Sequence, residues 1–287
     1  MEAGEVRHVG VVGAGLMGSG IAEVCARVGL AVTFVEGSAE LVEAGRARIE
    51  ASVGRAVDRG KLGTDDGRAL LGRIAGAASL TALADVDLVI EAATEEPAAK
   101  DAIFADLGGL IRPEVVLASN TSSIPIITLG EASGRPGQVI GMHFFNPPPV
   151  MALVEITPSA ATSPGTLAFA EAFASEILGK TCVRSTDEAG FIVNRLLIPY
   201  LYDAIRLFER GFATREDIDL AIRLGLAHPM GPLALADLIG LDTVLAIGEV
   251  LHTAFGAERY EAPALLRTLV REGKLGRKSG AGLYEYG

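Results

Sequence analysis

The stretch His8-Val9-Gly10-Val11-Val12-Gly13-Ala14-Gly15-Leu16-Met17-Gly18 constrains this chain more than any other. Val9–Gly13 consists of valine and glycine, the composition of a short buried strand. It runs directly into Gly-x-Gly-x-x-Gly, formed by Gly13, Gly15 and Gly18. Each glycine meets a separate demand of a nucleotide-binding turn. Gly13 lets the chain reverse tightly, Gly15 keeps side-chain atoms away from a pyrophosphate, and Gly18 lets the next helix lie close to the strand. That helix would aim its N-terminal N–H groups, beginning at Leu16 and Met17, and the positive end of its dipole at the phosphates. In a chain with 35 glycines the spacing alone is weak, but its context is specific. Apolar helix positions follow at Ile21, Ala22, Cys25 and Ala26, then a second strand at Leu30–Val35, then Glu36. Glu36 lies 23 residues beyond Gly13, where a ribose-binding carboxylate belongs. The expectation is dinucleotide binding.

Alternation of strands and helices continues through the first half. Ser38 is placed to cap a helix from Ala39 through Ile49 and Val53 to Ala56. Its polar positions, Arg46, Arg48, Ser52, Arg55 and Arg59, with Lys61 just beyond, form a basic surface. It reads either as a solvated helix face or as a docking surface for a phosphorylated group. Short buried strands are expected at Leu88–Ile90, Val115–Ala118 and Val139–Met142, with Pro97 opening a helix and Lys100 one turn on. The second of these runs into polar Ser119-Asn120-Thr121-Ser122-Ser123, and the last ends at His143. In an open α/β sheet, ligands bind at such carboxyl ends. The pattern predicts a Rossmann-type, doubly wound, mostly parallel sheet over residues 1–185.

Beyond Ser185 no strand alternation is visible, and an all-helical domain is expected over 186–287. Phe191–Phe208 is apolar almost all round, as in a helix buried in a core or at a subunit contact, with Pro199 expected to kink it. Thr214 reads as an N-cap, and apolar helical stretches follow at Ile218–Leu224 and Leu241–Phe255. The whole chain carries a net charge of −11, which argues against broad nucleic-acid binding. Two distant cysteines, Cys25 and Cys182, point to a reducing compartment and no Cys-rich metal site. A first strand within ten residues of Met1 leaves no room for a signal peptide, and no apolar run is long enough to span a membrane. A cytoplasmic protein without a metal is expected.

His143-Phe144-Phe145-Asn146-Pro147-Pro148-Pro149 is the most informative segment after the glycine turn. A histidine in a loop at the end of a strand suits proton exchange with an alcohol near neutral pH. Twelve residues later Glu155 interrupts the apolar run Val150–Ile156. Burying a carboxylate there is costly unless it has a partner. If the chain doubles back at the prolines, Glu155 meets His143 and orients it.

These segments resemble the 3-hydroxyacyl-CoA dehydrogenase family, in particular its single-function 3-hydroxybutyryl-CoA members. The resemblance is carried by Gly13–Ala22, Glu91-Ala92, Ser119–Ser123, His143–Pro147, Gly190–Arg195, His228–Pro232 and Gly276–Gly280, in that order. It implies NAD-dependent interconversion of an L-3-hydroxyacyl-CoA and its 3-oxo form, as in fatty acid metabolism. By resemblance His143 is the base, Glu155 its partner, and Ser122 and Asn194 hydrogen-bond the reacting oxygens from a site between the domains. Glu36 would bind the adenine ribose, its acid arguing for NAD. Glu95, Lys100, Asn120, Ser122, Asn146 and Lys278 match positions near the nicotinamide half. Ser52, Arg59, Lys61 and Ser122 match the region that contacts the CoA nucleotide. A homodimer through the helical domain is implied. Arginines stand where many members carry lysines, so a carrier-protein thioester is an alternative substrate. A non-catalytic, crystallin-like NADH-binding protein is the alternative of another class. His228 reads as structural, packing a helix junction.

Overall fold

The valine–glycine strand and its turn are the centre of a parallel sheet. The structure, a computed structural model, describes residues 2–287. The chain forms two compact units, Met1–Glu188 and Ala189–Gly287, dividing a few residues beyond Ser185.

The first unit runs β1 (His8–Val12), α1 (Leu16–Arg27), β2 (Ala31–Val35), α2 (Ala39–Asp58), α3 (Thr64–Leu71), β3 (Ile74–Ala77), β4 (Leu88–Glu91), α4 (Pro97–Leu110), β5 (Val116–Ser119), α5 (Ile126–Ala132), β6 (Val139–Phe144), β7 (Leu153–Thr157), α6 (Pro164–Ala172) and β8 (Thr181–Arg184). Its strands form one sheet in the order β3-β2-β1-β4-β5-β6-β7-β8. The first six in chain order pair in parallel, β7 is antiparallel to β6, and β8 is parallel to β7. The order reverses between β1 and β4, the switch point at which doubly wound sheets bind ligands. The strands β1, β4, β5 and β6 are buried almost throughout, as a sheet covered on both faces requires. Local signals set the helix starts: Ser38 accepts from the Leu41 N–H, and Pro97 occupies the first turn of α4. The strands β3 and β8 carry no local signal strong enough to be read ahead; only β2 and β7 give them partners.

The second unit comprises α7 (Val193–Glu209), α8 (Arg215–Gly225), α9 (Pro232–Ile239), α10 (Leu241–Phe255) and α11 (Ala264–Arg271). Thr214 caps α8 as its sequence predicts. The helix α7 continues through Pro199, which is buried. The expected join between α8 and α10 contains a further helix, α9. Its first turn is held by Asp219, whose carboxylate accepts from the Leu233 and Ala234 N–H groups. Asp237 in α9 is buried and accepts from the Leu283 and Tyr284 N–H groups and the Tyr286 hydroxyl, fastening the C-terminal tail. His228 is corrected: it is exposed, with the Tyr200 ring edge-on at 6.1 Å, because the segment before Pro229 stays on the surface.

Candidate active site

The glycine turn has the geometry its residues require. Gly13 lies at φ +87°, and a Cβ there would stand 2.7 Å from the Ala93 Cα beyond β4. A Cβ on Gly18 would stand 1.8 Å from the Gly13 carbonyl oxygen, so only glycine lets α1 close on the turn. At Gly15 the opposite holds: a Cβ would meet nothing within 4 Å. That is the open side of the turn. No side chain caps α1 there, so its first N–H groups face an anion-sized approach. Leu16 is exposed and Met17 half-buried above them. The Glu36 carboxylate reaches back from the end of β2 and accepts the Ala14 N–H at 2.6 Å. This combination fits a dinucleotide with its ribose beside Glu36.

The ends of β4 and β5 hold a polar network beside the turn. Glu91 is fully buried and accepts from the Lys100 ammonium at 2.5 and 2.7 Å, the Ser119 hydroxyl and the Ala93 N–H. Burying either ion alone would be costly; each is covered by charge and hydrogen bonds here. Lys100 also stands 3.5 Å from Glu95. The Lys100 ammonium, expected near the nicotinamide half, is held in the interior at the end of β4 by Glu91. Glu95 accepts from the Thr121 hydroxyl, the Ser122 N–H and the Ser123 hydroxyl, and so fixes the loop that carries Ser122. Burial pushes the Glu95 carboxyl up. The Lys100 charge and these hydrogen bonds outweigh it and hold the group below its ordinary value. The Asn120 side-chain oxygen accepts from the Phe144 N–H, joining β5 to β6.

His143 lies inside β6 rather than in the loop beyond it, because antiparallel pairing with β7 extends the strand. The register places His143 opposite Glu155, and the ring Nδ1 is 2.7 Å from the carboxylate. Both side chains are buried, and the Phe145 ring packs 4.6 Å from the imidazole. The intervening turn is clamped by Lys180, which donates to the Pro148 and Met151 carbonyls at 2.8 and 2.7 Å. No sequence signal marks Lys180; it arrives because β8 adds beside β7. Asn146 is exposed in the same turn. On α2, Ser52 is half-buried, while Arg59 and Lys61 are exposed near the helix end. In the second unit, Asn194 is buried in the first turn of α7, and Lys278 pairs with Asp242 at the start of α10.

Two family models cover nearly the whole chain: the 3-hydroxyacyl-CoA dehydrogenase NAD-binding domain matches residues 8–188, and the C-terminal domain of the same family matches residues 190–286. The chain belongs to the 3-hydroxyacyl-CoA dehydrogenase family. Its class is that of an NAD-dependent 3-hydroxyacyl-CoA dehydrogenase, and its cofactor is NAD. It is 50% identical over 282 residues to a 3-hydroxybutyryl-CoA dehydrogenase of Mycobacterium tuberculosis, covering 98% of this chain and 99% of that protein. The crystal structure of M. tuberculosis FadB2 superposes with a TM-score of 0.96 at 49% identity, covering 98% of this chain and 99% of that one. That of (S)-3-hydroxybutyryl-CoA dehydrogenase PaaH1 from Ralstonia eutropha gives 0.91 at 46% identity, covering 99% and 100%. No cluster of His, Cys, Asp or Glu able to hold a metal occurs among the described residues. No helix among them is long and apolar enough to cross a membrane. Cys25 is fully buried and its thiol is pushed up to about 12 by that burial, which leaves it inert core.

Proposed function

We propose that this dehydrogenase interconverts short-chain L-3-hydroxyacyl-CoA, such as 3-hydroxybutyryl-CoA, and the 3-oxoacyl-CoA. The observation that carries the reading is the buried His143–Glu155 pair, at 2.7 Å, on the same sheet edge as the glycine turn. NAD supplies the hydride acceptor when bound. A carboxylate can only accept, so Glu155 keeps the hydrogen on Nδ1 and makes Nε2 the basic atom of His143. Nε2 takes the hydroxyl proton during oxidation and returns it during reduction. Glu155 offsets the positive charge that this creates on the ring. Ser122 and Asn194 donate to the reacting oxygens where negative charge develops. Glu95 positions Ser122 through its N–H, and Lys100 acts through Glu95. Leu16, Met17 and the turn glycines hold the pyrophosphate, Glu36 the ribose, and Asn120, Asn146 and Lys278 the nicotinamide half. Ser52, Arg59 and Lys61 take the CoA nucleotide. The enzyme works as a homodimer through its helical unit.

Acetoacetyl-CoA with NADH is the direct assay, and turnover is expected. A protein inert towards every acyl-CoA but active on a matched carrier-protein thioester would move the reading to that substrate. Nucleotide binding without turnover on either would favour the non-catalytic alternative.

A further inference from the structure

The residue Ala14, between the first two glycines of the turn, is held from both sides by charged side chains. Its N–H is taken by Glu36, and its carbonyl oxygen accepts from Arg48 of α2 at 3.2 Å. The close approach of α2 makes the second contact possible. A Cβ on Gly45 would stand 2.6 Å from the Ala14 Cβ, so only glycine lets the helix settle on the turn. Arg48 follows Gly45 by three residues and shares its helix face. Among the described residues the second oxygen of Glu36 has no hydrogen-bond partner, and no ion pair joins Glu36 to Arg48. A carboxylate acceptor and an exposed guanidinium therefore flank one ribose position.

The two groups favour opposite ligands. A carboxylate accepts from a ribose 2′-hydroxyl and repels a 2′-phosphate, while an arginine nearby accommodates the phosphate. We infer that Arg48 is a specificity-determining residue of the adenosine subsite, a 2′-phosphate site that Glu36 alone keeps closed. The inference rests on the NAD-binding reading and extends it to the nucleotide's second phosphate. Removing the Glu36 charge leaves the Arg48 guanidinium as the charged donor to an anion, already placed beside the turn by its bond to the Ala14 carbonyl.

Isothermal titration calorimetry with adenosine 5′-diphosphate and adenosine 2′,5′-bisphosphate tests this on the full-length chain, for the wild type, Glu36→Gln, Arg48→Ala and the double variant. Circular dichroism confirms that each is folded, and Glu36→Ser replaces any Glu36→Gln protein that is not. Glu36→Gln is expected to bind the 2′,5′-bisphosphate about tenfold or more tightly than the wild type. That gain should weaken with salt and disappear in the double variant. A gain that survives Arg48→Ala, or no gain in Glu36→Gln, overturns the assignment. Failure of the wild type to bind adenosine 5′-diphosphate would instead remove the dinucleotide reading beneath it, and the assignment with it.

Discussion

At the scale of single residues, the proposed chemistry rests on groups that act as units. If Glu155 acts through His143, the two are not independent. His143→Ala is expected to lower kcat by about 10²–10⁴ without unfolding the protein. Glu155→Gln should cost less, and adding it to His143→Ala should cost almost nothing further. Steady-state kinetics on the two single variants and the double variant check this; additive losses would separate the roles. Glu95 makes a different prediction, about stability. Its folded-state pKa lies below its unfolded one, so its stabilisation is fully present above roughly pH 4.3 and is lost as pH falls through the folded value. Glu95→Gln should therefore melt below the wild type at neutral pH, and the two melting curves should converge in acid. A gap that stays constant with pH would assign the effect to packing.

At the scale of elements, the β6–β7 pair is what brings two distant residues, His143 and Glu155, together. Register decides it: a slip of one residue would send His143 and Glu155 to opposite faces. The pairing is held by Lys180, whose ammonium spans the Pro148 and Met151 carbonyls. Hydrogen bonds to a charged group contribute about 1.5–3 kcal/mol each at most. Lys180→Met keeps the apolar stem and removes both. It is expected to lower the melting temperature by several degrees and to lower kcat more than it raises KM, since it loosens the proton-transfer pair. An unchanged kcat with a lowered melting temperature would make Lys180 a stabilising residue only.

At the scale of the whole molecule, the second unit exposes more apolar surface than its own fold needs. Leu196, Phe212, Leu220, Leu224, Leu226 and Leu238 are all exposed, Leu224 at 74%. Exposed apolar surface of this extent supports the proposed homodimer contact. Sedimentation velocity is expected to find a dimer, and Leu224→Glu to shift it to monomer by placing a charge in the contact. A wild-type monomer at micromolar concentration would remove the homodimer from the reading.

The sequence by itself determined what local rules govern. The glycine turn, the parallel alternation, the caps at Ser38 and Thr214 and the acid at Glu36 all follow from backbone sterics and hydrogen bonding within a few residues. The reaction class was legible through resemblance, from motifs that run in family order from Gly13–Ala22 to Gly276–Gly280. What only the tertiary structure decided are the long-range pairings. That Lys100 is drawn inward by Glu91, that Lys180 clamps the turn and that Arg48 reaches Ala14 each depend on which strands and helices become neighbours. Sequence spacing does not encode those neighbours, because they are set by the summed packing of the sheet and its helices.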